Sequence, residues 1–528
     1  MRIGFVHPDL GIGGAERLVV DAAVSLQRRG HDVAMFTSRH DPKRCFEETR
    51  DGTLPVHVLG SSLPRQLHPK FPCTIVFSLL RSILLTFLLW TSLYLPPPKS
   101  PFNPLSPIKP FDVFIVDQQS VCVPLLKWFV GSRVVFYCHF PDKLLSGGWE
   151  IEVDQQGEVG MGLNTGIRSG VAMSRKGVGL LKRIYRYPID KLEEITTGQA
   201  DIVLSNSKFT SRVYARAFHS LSKRSPRVVY PCIDIDAYSS GSKKQAKGKK
   251  GKGKMDPDVA LISSDRPTLL SLNRFEKKKH VSLAIEAFVQ LGPDHLAYEG
   301  YSQLRLVIAG GYDSSEADNV ETLSSLQALC DAHSLSHHTL TSSTSPPPPE
   351  STQVLFILNF TTAQRTALLQ SPTTLALLYT PANEHFGIVP IEAMACGLPV
   401  LAADSGGPTE TIVDFTDSPS GTGTGILRPP SASEWTEAML LLLRLPSEQR
   451  AEISEAAQKR VREKFSSGTL GKELEEVCVE AVAMGDVHVR MGDTMIWVGG
   501  YMMGCAAVTW LFLAWWYTRV GNGQGGDL

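Results

Sequence analysis

Glu384 and Glu392 stand eight residues apart in EHFGIVPIE, just ahead of the helical pattern AMACG. Glu384 falls in the loop before that helix and Glu392 within it. The two carboxylates can therefore reach opposite ends of one ligand lying over the helix N-terminus, where unpaired N–H groups favour anions. Gly387, between them, lets the surrounding backbone N–H groups face such a ligand. Upstream, Arg274 closes an apolar run and Lys279 follows five residues later in RFEKKKH. Two cations held at a strand end neutralise a departing diphosphate. A solvated basic turn is the competing reading of the same pair. Paired glutamates, too, are commonly plain helix surface, although Glu392 sits between Ile391 and Ala393 in an otherwise apolar stretch.

Near the start of the chain, Gly11-Ile12-Gly13-Gly14-Ala15-Glu16-Arg17 follows a first apolar run and opens a helix. Glycines there allow a close backbone approach to phosphate. The string does not match GxGxxG, and Asp32, 18 residues beyond Gly14, lies in a polar turn, so a nicotinamide site is a poor fit. Asp234-Ile235-Asp236 is a DxD string, but it follows YPCI at the end of the first domain and reads as a turn into the linker. With no other clustered carboxylates, no metal and no cofactor are expected.

These residues need elements to hold them. RIGFV, VAMF, VFIV, VVFYCHF, IVLSN and RVVYP read as buried strands separated by amphipathic segments such as ERLVVDAAVSLQRRG. A second series, PTLLSLNRF, LRLVIAGG, QVLFILNF, LALLYTP and LPVLAAD, repeats the alternation. The pattern predicts an α/β fold of two Rossmann-like domains facing one another across a cleft, over 1–238 and 259–482. Between them lies a linker, 239–258, with seven lysines between Lys243 and Lys254, read as a solvated loop. The stretches 147–177, Gly-rich, and 342–352, Pro-rich, are read as loop insertions.

The chain has 528 residues, 53 basic and 53 acidic side chains and 8% aromatics, which excludes a small binding module, a disordered tail and a nucleic-acid binder. Without the seven linker lysines the balance is 46 basic to 53 acidic, so the neutrality sums a basic loop and a mildly acidic body. Nine scattered cysteines without a CxxC pair suggest reduced thiols facing the cytosol. Thr494–Tyr517 is 24 residues without a charge, flanked by Trp497, Trp515, Trp516 and Tyr517, and reads as a transmembrane helix. Thr74–Leu95 is apolar with Ser78, Arg81, Ser82 and Thr86 on one helical face. It can lie in a membrane interface, span the membrane, or pack inside the first domain.

GIGGAER, CHFPDKLLS, NRFEKKK and above all TPANEHFGIVPIEAMACGLPVLA resemble family 4 retaining glycosyltransferases, and among them the mannosyltransferases of dolichol-linked oligosaccharide assembly. The resemblance runs from Met1 to about Val479 and implies the GT-B architecture. It implies transfer of an α1,3- and then an α1,6-mannose from GDP-mannose to dolichol-diphosphate-linked Man-GlcNAc2. Carried onto this sequence, Arg274 and Lys279 would hold the GDP diphosphate, supported by the backbone of Phe386, Gly387 and Ile388. Glu392 would bind the ribose and Glu384 the donor sugar near its anomeric centre. His139 would face the reacting sugar, Gly13 and Gly14 would approach the diphosphate, and Glu410 would lie near the donor phosphate or the acceptor. An endoplasmic reticulum membrane location with the catalytic domains in the cytosol is implied, as is scope for a complex with other mannosyltransferases of that pathway. No nucleic-acid partner is expected.

Overall fold

The computed structural model describes residues 1–64, 74–94, 110–147, 149–153, 159–163, 180–239, 256–341, 346–417, 423–487 and 500. The apolar stretch Thr494–Tyr517 (Gly500 apart) and the lysines of the linker fall outside them. The chain divides into two compact units: Met1–Tyr230 together with Leu470–Leu528, and Pro231–Thr469.

The first unit holds a seven-stranded sheet formed by β1 (Arg2–His7), β2 (Asp32–Thr37), β3 (Val56–Val58), β4 (Val113–Asp117), β5 (Arg133–Cys138), β8 (Ile202–Ser205) and β9 (Arg227–Val228). Its order is β3-β2-β1-β4-β5-β8-β9, and every pairing is parallel. β4 is buried along its whole length, as a parallel sheet covered on both faces requires. Phe36, Phe114, Val134, Phe136, Phe209 and Tyr214 fill the core around it. The remaining two strands, β6 (Trp149–Val153) and β7 (Val159–Leu163), form an antiparallel hairpin apart from this sheet. That corrects the sequence reading of 147–177 as a loop: alternating Trp149, Ile151 and Val153 give this part of the insertion strand character.

The second unit repeats the plan with β10 (Thr268–Leu272), β11 (Arg305–Gly310), β12 (His337–Leu340), β13 (Val354–Leu358), β14 (Thr374–Tyr379), β15 (Val400–Ala403) and β16 (Gly425–Arg428). The order is β12-β13-β11-β10-β14-β15-β16, again all parallel. Phe275, Phe288, Phe356 and the fully buried Trp435 anchor its core. In each sheet the strand order reverses beside the first strand of the unit, between β1 and β4 and between β10 and β14. Open α/β sheets bind ligands outside the carboxyl ends of the strands at such a reversal. The fold itself therefore singles out the residues that end β1, β4, β10 and β14.

The helix Thr74–Tyr94 belongs to the first unit. Its polar face turns inward: Arg81, Ser82 and Thr86 are buried. Ser82 Oγ donates to Gln119 Oε1 at 2.7 Å, Gln119 Nε2 donates to Ser78 Oγ at 2.6 Å, and at the far end Tyr94 donates to the carbonyl of Val130 at 2.6 Å. Leu80, Phe87 and Tyr94 face outward with Phe129, and Trp90 bridges Phe87 and Phe129 at ring distances of 5.7 and 5.9 Å. Among the described residues this is the one helix long and apolar enough to cross a membrane. Its polar contacts run along its length into the protein, which leaves an apolar ridge on the outside.

The helix Ser467–Ala483 brings the chain back to the first unit. Leu470 and Leu474 are 1% exposed and share a small cavity with Phe5, Leu18, Val19 and Tyr137. Glu475 accepts from Arg29 Nε at 2.7 Å and meets His31 Nε2 at 2.9 Å.

Candidate active site

In the second unit the residues that follow β10 and β14 meet. Arg274 lies two residues past β10 with its side chain 63% exposed, and Lys279 closes the short turn Lys277–Lys279. The Thr380 hydroxyl, just past β14, donates to the Lys279 carbonyl at 2.7 Å and ties that turn to the neighbouring strand. Lys279 Nζ then reaches the Glu384 carboxylate at 2.5 Å. Tyr379, the buried last residue of β14, hydrogen-bonds the same carboxylate. Burial alone would raise the Glu384 pKa, but Lys279, His385 and Tyr379 outweigh it, so the group lies below the usual glutamate range. The cost of burial falls on Tyr379 instead: desolvation and the Glu384 charge push its phenol well above the usual value.

Phe386 is buried and stacks edge-on against Phe465. Gly387 sits at φ 84°, a left-handed conformation that only glycine adopts without cost, and caps the helix Ile388–Ala395. The loop 405–407 closes over this turn. Gly406 has φ 69°, and a Cβ there would lie 2.4 Å from the Glu384 carbonyl oxygen; one on Gly407 would lie 2.3 Å from Phe386 Cα. Gly407 N–H donates to the Glu384 carbonyl at 2.7 Å, and Ser405 Oγ accepts from Asn383 N at 3.0 Å. Glu410 follows in the helix Pro408–Thr411, where its carbonyl accepts from Arg460.

Glu392 lies one turn into the helix, 7% exposed. Its Oε1 accepts from the Tyr238 hydroxyl at 2.6 Å and from Arg365 Nη1 at 2.9 Å. Burial raises its pKa, and Arg365 and Tyr238 only partly oppose that rise. Glu384 and Glu392 are thus separately partnered around one helix N-terminus. Sequence reasoning did not find Tyr238, Arg365, Tyr379 or the glycines Gly406 and Gly407. The available signal was the SGGP string next to the already singled-out Glu410.

In the first unit, His139 follows β5 directly. Its Nε2 lies 2.9 Å from Asp117 Oδ2, its ring packs on Tyr137 with centroids 5.1 Å apart, and its carbonyl accepts from Asn206 at 3.1 Å. Gly13 precedes the helix Gly14–Arg28 in extended backbone. A Cβ on Gly13 would stand 2.2 Å from Glu16 Oε2, whereas one on Gly14 would meet nothing within 4 Å. Gly13 thus makes room for the Glu16 carboxylate, and Gly14 leaves open space at the helix start. Past His139, the Glu193 carboxylate accepts from the backbone N–H groups of Asp142 and Lys143 at 2.7 and 3.1 Å. Burial holds both the Asp142 and Glu193 carboxyls above their usual range. In the second unit, Asp234 Oδ1 accepts from Asp236 N at 3.1 Å at the start of the short helix Ile235–Ser239. Among the described residues no three His, Cys, Asp or Glu side chains gather as a metal site.

Residues 12–237 match the model of Glycosyltransferase Family 4, and residues 255–460 that of Glycosyl transferases group 1. The α-1,3/1,6-mannosyltransferase ALG2 of Rhizomucor pusillus is 39% identical over 91% of this chain and 92% of its own. The Neurospora crassa protein of the same description is 39% identical over 96% of both chains. The chain belongs to the ALG2 family of α-1,3/1,6-mannosyltransferases. This enzyme shares its fold with sucrose-phosphate synthase from Thermosynechococcus elongatus, at a TM-score of 0.59 and 17% identity over 92% of this chain and 100% of the other. The two parallel sheets are accordingly those of a GT-B glycosyltransferase, and the ion pair Lys279–Glu384 belongs to the enzyme's group 1 region.

Proposed function

We propose that the enzyme transfers mannose from GDP-mannose to dolichol-diphosphate-linked Man-GlcNAc2, adding an α1,3- and then an α1,6-linked residue. The Lys279–Glu384 ion pair at the N-terminus of the Ile388–Ala395 helix carries this reading. It sets a lysine cation and an ionised carboxylate beside a helix end that attracts phosphate. In the proposed complex Lys279 and Arg274 take the diphosphate, joined by the N–H groups at Phe386, Gly387 and Ile388. Glu384 accepts hydrogen bonds from the mannose hydroxyls and stabilises positive charge developing at the anomeric carbon. Glu392, held by Arg365 and Tyr238, takes the ribose hydroxyls.

Transfer breaks the bond from the anomeric carbon to the diphosphate oxygen and forms a bond to the acceptor oxygen on the same face. The acceptor proton passes to the departing diphosphate. The negative charge grows on the leaving group, and in this reading Arg274, Lys279 and the helix dipole stabilise it. We propose that this set replaces a divalent cation. The body faces the cytosol at the endoplasmic reticulum membrane in this reading, with the outer ridge of Leu80, Phe87 and Phe129 toward lipid.

The test supplies membranes carrying the enzyme with radiolabelled GDP-mannose and a short lipid-linked acceptor. Wild type should extend the acceptor by two mannoses in the presence of EDTA, Glu384→Ala should not, and UDP-glucose or UDP-N-acetylglucosamine should give no product. Equal product from wild type, Lys279→Ala and Glu384→Ala would overturn the site assignment. A requirement for added metal would overturn the cation-only account.

A further inference from the structure

At the strand-order reversal of the first sheet, one buried carboxylate holds two imidazoles. His7 ends β1, Asp117 ends the adjacent β4, and His139 follows β5, the next strand again. Asp117, 2% exposed, lies 2.6 Å from His7 Nδ1 through Oδ1 and 2.9 Å from His139 Nε2 through Oδ2. The other nitrogen of His7, a residue 1% exposed, faces Glu16 Oε1 at 3.9 Å.

With the Asp117 carboxylate hydrogen-bonded at Nδ1 and the Glu16 charge 3.9 Å from Nε2, beyond hydrogen-bond reach, the nearby negative charges favour His7 as the cation. Burial disfavours that charge, yet Asp117 and Glu16 overcome it and raise His7 to about 10. The His7 charge in turn helps keep Asp117 ionised below the usual aspartate range despite its burial. Facing an ionised carboxylate, His139 Nε2 carries a proton whatever the overall charge of the ring. Buried ion pairs contribute little stability compared with apolar residues of the same size. Their place at the carboxyl ends of three neighbouring strands is where ligands meet this kind of sheet.

We propose that His7 and Asp117 are positioning residues for His139: they fix its ring with the proton on Nε2 and leave Nδ1 to accept a hydrogen bond from a sugar hydroxyl. The inference rests on the reading that His139 meets the reacting sugar. It adds the two residues, and the nitrogen, through which that role is set.

The experiment records nitrogen-15 spectra of the full-length enzyme in detergent with labelled histidine, using His139→Gln to assign the His139 signals. The wild type should show a protonated Nε2 on His139. In Asp117→Asn the amide can donate instead of accept, so the proton should move to Nδ1. That variant should also lose about a hundredfold or more in kcat with donor KM within about twofold, the signature of a misoriented imidazole rather than of lost donor binding. His7→Asn should lose about tenfold, and Asp117→Glu should recover part of the loss seen in Asp117→Asn. A wild-type spectrum with Nε2 bare overturns the proposal without need of any Asp117 variant. An unchanged His139 pattern in Asp117→Asn does so as well. If His139→Gln transfers mannose at the wild-type rate, the sugar contact of His139 fails, while the spectra still decide whether His7 and Asp117 set its tautomer.

Discussion

Between Lys279 and Tyr379 the Glu384 carboxylate stays ionised, while Glu392, eight residues on, is pushed toward its neutral form by burial. The same side chain thus meets two opposite electrostatic environments in one motif. Removing the cation from the first should be felt in the transition state: Lys279→Met is expected to lower kcat by about 10²–10³, the usual loss for one preorganised donor at a developing charge. Loosening the second should be felt in binding. Tyr238→Phe removes one of two groups holding Glu392 and should raise donor KM severalfold with kcat preserved, which steady-state kinetics on GDP-mannose would show. His7 carries a pH signature. Its pKa rises from an ordinary 6.5 to about 10, because Asp117 and Glu16 outweigh the effect of burial. The stability it contributes is fully present below pH 6.5 and is lost as pH climbs through 10. Thermal unfolding between pH 7 and 10 should show that loss in wild type and a shallower slope in His7→Asn.

At the scale of elements, the close seating of the 405–407 loop on the Glu384–Phe386 turn leaves no room for a methyl group. Gly406→Ala combines a positive φ with a Cβ 2.4 Å from a carbonyl oxygen, and should cost the second unit about 2–3 kcal/mol, read as a drop in its unfolding midpoint. The strands that carry the site were legible because parallel strands are buried on both faces and read as short apolar runs: VFIV became β4 and LALLYTP became β14. β3, β12 and β16 were not, because VHV and HHTL are short, mixed edge or near-edge pieces that pairing rather than composition makes into strands. In the site, Glu384 and Glu392 stood out because their carboxylates interrupt an apolar stretch. Asp117 and His7 did not, because a polar residue ending a strand looks like the start of a loop. Only the order β1-β4-β5 brings them together, from positions 110 residues apart.

Across the whole molecule, the first unit depends on residues from far along the chain. Leu474 packs with Phe5, Leu18 and Val19, so Leu474→Ala should destabilise that unit by about 2–5 kcal/mol, which differential calorimetry would register. Sequence reading did not set down this crossing, since nothing in SGTLGKELEEVCVEAVA says which sheet it covers. The outward ridge of the Thr74–Tyr94 helix should set the affinity for lipid. In a chain shortened to end before Thr494, so that the apolar stretch read as a transmembrane helix cannot hold it, Phe87→Glu places a charge where a half-exposed ring stood and should shift the protein toward the soluble fraction in vesicle flotation, with the N-terminal fold intact by circular dichroism.

The return of the chain at Leu470 also orders events during synthesis. Pro231–Thr469 is continuous and can close its sheet as soon as it leaves the ribosome, whereas the unit that begins with Met1 must wait for the residues that follow Thr469. Those about 240 intervening residues take on the order of tens of seconds to translate. Throughout that interval the apolar patch around Phe5, Leu18 and Val19 lacks its cover, so the part of the protein made first is the part completed last.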